Sequence, residues 1–446
     1  MLKETQKEET KVVEKKEIKA IEAIDDEMLL ACAHCGLCLP SCPTYRELSM
    51  EMDSPRGRIY IMRALVDGRL PVDEKFAEHI YRCLVCRACE TACPSGIHYS
   101  RLIEEAREVF EKNFKRPLSQ RILQNFVFKR LFPNQKLLGF TFWMIWLYQR
   151  LGIRWLARNL GIMRLMGRMG EAEKILPNIP SPLLKYSLKK VIPPEGERKH
   201  RLGFFPGCMM IHIFPSVNLA TARVLAENGC EVITPQKQQC CGALHTLSGI
   251  KEPALRLARQ NIDIFEKIDV EAIIVNCAGC GAALREYSHL LADDPDYAEK
   301  AENFSRRVKD ISEFLAEIEV KPPQGEIVHR VTYDDPCHLL HGQKVKEQPR
   351  MLLQSIPGLE LVELKQADRC CGSAGVYNVL QPEMSMRLLE DKMKNIAETN
   401  AEIVVTGNPG CLIQIGLGVK QHNLNMRVMH TVELLDLSYR SRDATS

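Results

Sequence analysis

The pattern of hydrophobic and polar positions divides the chain into a helical first part and an α/β second part. Apolar side chains recur at helical spacing over 58–65 and 74–81, and Ser54 followed by Pro55 is a typical helix start. From residue 201 onward, short buried-strand patterns alternate with helical stretches, which is the order of parallel βαβ units. The predicted strands are 202–205, 231–234, 272–276, 331–333, 359–364 and 401–406, and two of the helices between them are 216–228 and 383–398.

Two four-cysteine motifs lie in the helical part, and each reads C-x2-C-x2-C-x3-C-P. In two-cluster ferredoxins with this spacing, the fourth cysteine of each motif binds the cluster of the other motif. Zinc knuckles or disulfides are the alternative, which the tandem repeat of the motif disfavours. The first predicted [4Fe–4S] ligand set is Cys32, Cys35, Cys38 and Cys93, and the second is Cys42, Cys83, Cys86 and Cys89.

Composition agrees with an intracellular redox protein. A length of 446 residues suggests about three domains, and the net charge of +3 gives no sign of a nucleic-acid partner. Residues 1–26 are rich in Lys and Glu and lack the apolar stretch of a signal peptide, so they predict a solvated helical arm. Cysteines of a cytoplasmic chain bind metal more often than they form disulfides.

The α/β part is an internal repeat with a cysteine group in each copy. Asn408 stands in the second copy where the first has Cys277. A cysteine group follows nearly every predicted strand, which predicts ligands at the carboxyl edge of each sheet. The first group is Cys208, Cys240, Cys241, Cys277 and Cys280, and the second is Cys337, Cys370, Cys371 and Cys411.

We predict a further iron–sulfur cluster in the first copy, which keeps all five cysteines. An amide oxygen is a poor ligand for iron, which clusters hold through soft thiolates. The four thiolates of the second copy could therefore hold a cubane cluster or a zinc ion, or the copy could be empty and serve as a structural half-domain.

Some single residues are predicted to have ordinary structural roles. Cys230, the one cysteine outside the four groups, is expected in the core. His338 and His341 could donate protons near a cluster, but a hydrogen-bonded or capping role is the more economical interpretation. The same interpretation applies to His34, His98 and His245.

Residues 112–170 have an unusual composition. They contain no Asp or Glu, twelve Lys or Arg, and all three tryptophans of the chain. The apolar run 140–148 is too short to span a membrane and continues into a stretch of interleaved arginines, which is typical of an interfacial helix on anionic headgroups. An ordinary core helix, or a docking surface for a flavoprotein, are the alternatives. The predicted docking residues are Trp143, Trp146, Trp155, Arg150, Arg154 and Arg158.

The combined motifs resemble the family of glycolate oxidase iron–sulfur subunits. The resemblance covers about residues 27–440 and is carried by CLVCRACETACPSG at 83–96, DPCH at 335–338 and CCGSAGVYNVLQPEM at 370–384. The C…CCG…CxxC pattern is similar to the cysteine-rich CCG domain of heterodisulfide reductases, where complete copies hold a non-cubane cluster. The resemblance implies an FAD-containing 2-hydroxy-acid dehydrogenase as partner, with quinone or another membrane-linked carrier as acceptor.

The chain shows no G-x-G-x-x-G fingerprint in a strand–helix setting, so we expect no flavin on it and no oxidation of a hydroxy acid by this chain alone. Two other functions stay open: a disulfide reductase acting at the CCG cluster, and a redox-sensing scaffold. We expect a cytoplasmic protein that lies peripherally on the inner face of the cell membrane.

The predicted fold class is α+β multidomain, with an α-helical two-cluster ferredoxin domain followed by two pseudo-twofold-related βαβ half-domains of the CCG type. The predicted divisions are a charged arm 1–26, a ferredoxin domain 27–111, a basic segment with a Pro-rich linker 112–200, a first CCG domain 201–320 and a second CCG domain 321–446.

Overall fold

The computed structural model describes residues 24–161, 170, 173 and 175–441, so most of the predicted arm lies outside the described residues. The chain forms two compact units. The first contains the described residues up to Arg121 together with Thr246–Lys251, and the second contains Ile122–His245 and the described residues from Glu252 onward.

The first unit is built from helices, and none of its described residues lies in a strand. The predicted helices over 58–65 and 74–81 are confirmed. Ser54 caps the first of them by accepting a hydrogen bond from the N–H of Gly57 at 3.0 Å, with Pro55 as the first helical residue. The core consists of fully buried side chains such as Met62 and Leu102. The helices are Asp26–Leu30, Pro43–Leu48, Pro55–Val66, Glu74–Tyr81, Ala88–Thr91, Tyr99–Asn113 and, at the boundary of the unit, Leu118–Phe126, with a 3₁₀ turn at Glu51–Asp53.

The second unit contains two sheets, one in each copy of the repeat. The strands are β1 (Val191–Ile192), β2 (His200–Phe205), β3 (Cys230–Ile233), β4 (Ala272–Val275), β5 (Val308–Asp310), β6 (Arg330–Tyr333), β7 (Glu360–Val362), β8 (Ile403–Val405) and β9 (Arg427–Met429). The first sheet has the order β1-β3-β2-β4-β5, with β1 antiparallel at its edge and all other pairs parallel. The second sheet has the order β7-β6-β8-β9 and is parallel throughout.

All six predicted strands are confirmed, and they occupy matching places in the two sheets. The first strand of each copy lies between the other two, with Leu202 opposite Ala272 in one sheet and Val331 opposite Ile403 in the other. Since these strands are parallel, the loops that follow them meet at one edge of each sheet.

Helices surround the two sheets and connect their strands. The predicted helices 216–228 and 383–398 are confirmed as Pro215–Glu227 and Pro382–Glu398. The other helices among the described residues of this part are Gln135–Arg150, Ile153–Asn159, Met210–Ile213, Ala243–Thr246, Lys251–Phe265, Ala278–Arg285, Tyr287–Leu290, Ala298–Arg307, Ile311–Glu317, Glu347–Gln354, Tyr377–Leu380, Pro409–Gln421 and Thr431–Ser441, with a 3₁₀ turn at Leu184–Ser187 and π-helical turns at Val127–Leu131 and His338–Gly342.

Within the basic segment, the stretch 135–159 forms two helices where the sequence predicts one continuous amphipathic helix. The first helix ends at Arg150, and Gly152 has a φ of +74°, which turns the chain before the second helix begins. None of the described helices is both long and apolar enough to cross a bilayer.

Candidate iron–sulfur sites

The two four-cysteine motifs share one loop conformation. His34 and Gly36 have φ values of +51° and +83°, and Val85 and Arg87, at the equivalent places in the second motif, have +53° and +65°. A β-branched residue such as valine rarely adopts a positive φ, so the surrounding structure must hold this backbone in place. The bend brings the N–H of Val85 to 3.3 Å from the Cys83 sulfur, to which it donates. In each motif, these bends lie between the first and the third cysteine and turn the backbone there.

The thiols influence one another across the two motifs. Burial raises the pKa of the Cys32 thiol, and the neighbouring Cys93 thiol raises it further. Burial also raises the pKa of Cys89 well above its usual range, with Cys42 among the thiols that add to this rise. The fourth cysteine of each motif thus acts on a cysteine of the other motif.

A cavity in the first unit collects the whole second predicted ligand set. Two buried polar atoms at this cavity, Nη1 of Arg58 and the hydroxyl of Tyr99, make no hydrogen bond to any described residue. Buried donors without acceptors are costly, and the sulfurs of an anionic cluster are suitable acceptors. The residues at this cavity therefore fit a [4Fe–4S] cluster. Its lining includes Cys42, Cys83, Cys86, Cys89, Arg58 and Tyr99.

Arg58 is one of the site residues that sequence reasoning missed. Its side chain is fully buried; Nε donates to the carbonyl of His79 at 2.7 Å, and Nη2 lies 3.3 Å from Oδ1 of the buried Asp53. The available signal is its position, since Arg58 shares one helix face with the core residues Met62 and Leu65. An arginine in such an apolar stripe is rarely buried unless it is paired with an anionic group.

Tyr99→Phe should affect the loaded and the metal-free chain differently. In the metal-free chain the hydroxyl has no partner among the described residues, so its removal should leave the urea unfolding midpoint unchanged or slightly higher. In the loaded chain the variant should lower the reduction potential of one [4Fe–4S] cluster, because a donor to sulfur is lost. Urea unfolding and a redox titration followed by EPR measure the two effects.

Tyr81→Phe is the matched control. The Tyr81 hydroxyl donates to Oε1 of Glu111 at 2.6 Å, so its loss should cost about 1 kcal/mol in both forms and leave both cluster potentials in place. Equal potentials in the wild-type chain and Tyr99→Phe would contradict the proposed contact.

The five cysteines of the first copy come together at the carboxyl edge of the first sheet, in the loops after β2, β3 and β4. The sulfurs of Cys208 and Cys240 are 3.5 Å apart, and the hydrogen bond from Cys208 lowers the pKa of Cys240 well below its usual range. Hydrogen bonding by Cys241 and Cys277 extends this network to Cys280. Closely spaced cysteine sulfurs at one sheet edge are suited to metal binding, since cysteine thiolates are the ligands of iron.

Buried polar side chains hold the Cys240–Cys241 pair. Nδ2 of Asn261 donates to the carbonyl of Cys240 at 3.0 Å, and the hydroxyl of Tyr287 donates to the carbonyl of Cys241 at 2.9 Å. Both side chains are nearly or fully buried. The backbone that presents the two thiols is therefore fixed by partners outside the ligand set.

The four cysteines of the second copy form a similar group. The sulfurs of Cys371 and Cys411 are 3.5 Å apart, and hydrogen bonding with Cys370 and Cys411 lowers the pKa of Cys371 well below its usual range. Near Cys371 and Cys411, the buried Lys392 forms an ion pair with Asp334 at 2.8 Å. Among the described residues, no group of three or more His, Cys, Asp or Glu side chains is arranged to hold a single metal ion. A cubane cluster needs a wider arrangement, because each of its irons takes one thiolate.

Gly372→Ala should damage the second copy more than Gly242→Ala damages the first. Both glycines follow a cysteine pair, and their φ values are +87° at Gly372 and +84° at Gly242, so an alanine at either position should cost about 1–3 kcal/mol in backbone strain. A Cβ at Gly372 would also lie 2.6 Å from the backbone oxygen of Ser385, whereas at Gly242 the nearest atom is 3.6 Å away. Urea unfolding midpoints compare the two variants, and a larger drop for Gly242→Ala would contradict this reasoning.

The prediction for the single residues agrees with the structure where contacts are described. Cys230 is fully buried in β3, and burial raises its pKa to about 12. Nε2 of His245 lies 2.7 Å from the carbonyl oxygen of Phe128, and Nε2 of His341 lies 3.4 Å from that of Asp368. Both histidines are therefore engaged by backbone.

The predicted docking residues divide into an exposed and a partnered set. Trp143 and Trp155 are 41% and 68% exposed, whereas Trp146 is half-buried. Arg154 and Arg158 differ from the expected purely cationic face, because both form ion pairs with Glu173, at 2.7 and 3.0 Å. Arg150 is exposed at the end of its helix.

Comparison with known proteins agrees with this architecture. A family model described as a 4Fe-4S dicluster domain matches residues 28–97, and one described as the linker region of the glycolate oxidase iron-sulfur subunit matches 119–176. A cysteine-rich domain model named CCG matches twice, at 202–285 and 331–416. The fold and its cysteine groups thus define an iron–sulfur protein with a dicluster domain and two CCG domains.

Relatives that align over most of the chain show to which family within this class the protein belongs. A probable glycolate oxidase iron-sulfur subunit of Bacillus subtilis is 42% identical, covering 94% of this chain and 97% of the relative. The glycolate oxidase iron-sulfur subunit of Escherichia coli is 33% identical, over 88% of this chain and 90% of the relative. The chain belongs to the family of glycolate oxidase iron–sulfur subunits.

More distant similarity extends beyond this family. A subunit of the CoM/CoB fumarate reductase of Methanothermobacter marburgensis is 31% identical over 95% of this chain and 75% of its own length. A crystal structure of a hypothetical protein from Helicobacter pylori has a TM-score of 0.55 at 8% identity, over 95% of this chain and 75% of that one, which shows a shared fold.

Proposed function

We propose that this chain is the electron-transfer subunit of a complex that oxidises a 2-hydroxy acid such as glycolate or lactate. The observation that carries the proposal is its similarity, over nearly the whole length of both chains, to iron–sulfur subunits of glycolate oxidase. The donor would be a separate FAD-containing dehydrogenase subunit, since oxidation of a hydroxy acid needs a cofactor that accepts a hydride. Bound iron–sulfur clusters would supply one-electron transfer.

We assign a proposed cluster to three of the predicted cysteine ligand sets. In the first unit, the proposed sets are those that exchange the fourth cysteine of each motif. The cavity that Cys42 lines together with Cys83, Cys86 and Cys89 supports this exchange. In the second unit, the complete five-thiol group of the first copy is the proposed site of a further cluster.

We further propose that the chain contacts a membrane that holds its electron acceptor through one surface of the basic segment, which we call the aromatic surface. The segment has no acidic residue between 112 and 161, and its exposed bases give it a positive charge. Exposed aromatic side chains next to lysine and arginine are suited to the headgroup region of an anionic bilayer, where quinone would be available. We define the aromatic surface as the exposed apolar side chains of the helices Gln135–Arg150 and Ile153–Asn159 that include Phe140, Trp143, Met144, Trp155 and Leu156.

Inward-facing residues of the same segment contact the loops of the first cysteine group. The ring of Phe142 stacks on His212 with centroids 4.9 Å apart, and His212 lies in the helix that follows Cys208. The carbonyl oxygen of Phe128 bonds to His245, which follows the cysteine pair of this copy. Contact with a membrane at the aromatic surface would therefore occur close to the first-copy group.

Anionic liposomes should bind the full chain at low salt, and Trp143→Ala combined with Trp155→Ala should weaken that binding at least tenfold. The two indoles are exposed, so their loss removes apolar contact area without opening the core. Flotation of the chain with vesicles of anionic and of neutral lipid measures the effect. Trp146→Ala, at the half-buried position, is the control and should float like the wild-type chain; equal flotation of the double variant would refute the lipid contact.

Purification of the native complex through a tag on this chain tests the function itself. The complex should contain flavin, and glycolate or lactate should bleach its iron–sulfur absorbance. The same acid should leave the isolated chain unbleached. A native complex that contains no flavoprotein, or one whose iron–sulfur absorbance neither acid bleaches, would overturn the proposal.

A disulfide reductase is the second candidate, because the CoM/CoB fumarate reductase relative and the complete first cysteine group both favour it. The second copy counts against it, since Asn408 takes the place of a fifth thiol. Reduction of an organic disulfide by the chemically reduced chain, without any partner subunit, would favour this candidate.

A further inference from the structure

Asn408 and Cys277 hold equivalent places but make different contacts. Each precedes the helix that follows the third strand of its copy: Pro409–Gln421 for Asn408 and Ala278–Arg285 for Cys277. The Cys277 sulfur caps its own helix by accepting from the N–H of Cys280 at 3.4 Å. The side chain of Asn408 makes no capping bond to its own helix.

The Asn408 side chain instead reaches across to the first copy. Its Oδ1 accepts a hydrogen bond from the N–H of Gly279 at 3.1 Å and lies 3.9 Å from the Cys277 sulfur. Its Nδ2 points the other way and donates to the Cys411 sulfur at 3.6 Å. One amide therefore contacts a cysteine of each copy.

Backbone contacts fix this crossing. The N–H of Ala278 donates to the carbonyl of Gly407, next to Asn408, at 3.1 Å. The first three N–H groups of the helix Ala278–Arg285 thus find acceptors in Gly407, Asn408 and Cys277, and two of these acceptors belong to the second copy. Helix starts need such acceptors, because these N–H groups have no partner within the helix.

A second amide supports the same helix from the second copy. Nε2 of Gln343 donates to the carbonyl of Ala278 at 3.0 Å, and the space is so tight that a Cβ at Gly281 would lie 2.5 Å from its Oε1. The loop that carries Cys277 and Cys280 is therefore seated on the second copy.

We infer that Asn408 is a positioning residue that links the two cysteine groups and holds the loop of Cys277 and Cys280 against the second copy. An amide offers, on two separate atoms, an acceptor for the Gly279 N–H and a donor for the Cys411 sulfur. A cysteine at this position would lack the strong N–H donor, and an aspartate would bring a negative charge to both thiolates. The second copy thus has, in place of a fifth cysteine ligand, an amide that contacts the first copy. A residue of the second copy therefore influences the electrostatic environment of the first-copy cluster. The inference rests on the proposal that Cys277 and Cys280 are cluster ligands.

The test uses the full, cluster-loaded chain in a background that disables the second-copy ligand set, Cys370→Ser with Cys371→Ser. In this background Asn408→Asp should shift the reduction potential of the first-copy cluster to a more negative value and change its EPR signal, because a negative charge lowers cluster potentials. Asn395→Asp is the matched control. Among the described residues, its amide donates to the carbonyl of Asp391 in its own helix and contacts neither cysteine group, so the same charge there should leave the EPR signal of the first-copy cluster unchanged.

A second measurement uses the metal-free chain, so its result does not depend on whether a cluster is bound. Alkylation of Cys277 by iodoacetamide, followed by mass spectrometry, should be at least threefold faster in Asn408→Ala than in the wild-type chain, and unchanged in Asn395→Ala. An unmoved first-copy signal in Asn408→Asp, or equal alkylation of Cys277 in Asn408→Ala, would overturn the inference. Absence of any first-copy cluster in the wild-type chain would instead overturn the proposed function at this site, so the two failures are distinguishable.

Discussion

Replacing Cys42 with serine should remove the cluster bound by the second ferredoxin motif, although Cys42 belongs to the first motif. Cys42 lines one cavity with Cys83, Cys86 and Cys89, and its thiol acts on the pKa of Cys89. Serine is a poorer ligand for iron than a thiolate. We expect the iron content to fall by about four per chain and the EPR signal of one of the two interacting clusters to disappear.

Cys93→Ser is the mirror variant, and it should remove the other cluster. The two losses are separable in double variants: Cys42→Ser with Cys86→Ser should lose about four irons, whereas Cys42→Ser with Cys35→Ser should lose about eight. The opposite pairing of losses, with Cys42 grouped with Cys35, would show that each motif holds its own cluster and that the exchanged assignment is wrong.

Cys241→Ala should abolish electron transfer from donor to acceptor and leave both ferredoxin signals intact. Cys241 belongs to the complete five-thiol group, and its sulfur is hydrogen-bonded to Cys240 and Cys280 at the centre of that group. Loss of a central ligand should prevent assembly of the first-copy cluster. Steady-state transfer from the flavoprotein to a quinone analogue measures activity, and EPR of the same sample reports the two ferredoxin clusters.

Cys371→Ala is the matched change in the second copy and should retain most of the transfer activity. Cys371 occupies the same position after β7 that Cys241 occupies after β3, in a group with four thiols and one amide. A silent Cys241→Ala together with an inactive Cys371→Ala would show that the second copy is the working one.

The strands and the cysteine motifs were predictable because both depend on residues close together in sequence. A four-residue apolar run such as 272–275 is a strand in a parallel sheet for reasons of local pattern, and a C-x2-C spacing requires no knowledge of the fold. The positions after parallel strands then placed the two CCG cysteine groups at the sheet edges.

The residues that prediction missed are those whose partners lie far away in sequence. Arg58 looks like one basic residue in a helix until His79 and Asp53 are seen to surround it. Asn408 looks like a lost ligand, because its contact with Gly279 spans 129 positions. Glu173, which pairs with Arg154 and Arg158, lies just beyond the acid-free stretch whose composition suggested an uncompensated charge.

The buried donors of Arg58 and Tyr99 have a consequence for the amount of this protein in a cell. In a chain without iron they stay desolvated and without acceptors among the described residues, which makes the metal-free first unit less stable than the loaded one. Proteases remove chains according to how often they open. Iron starvation should therefore shorten the lifetime of newly made chains. The cellular amount of this protein should then follow the supply of iron–sulfur clusters.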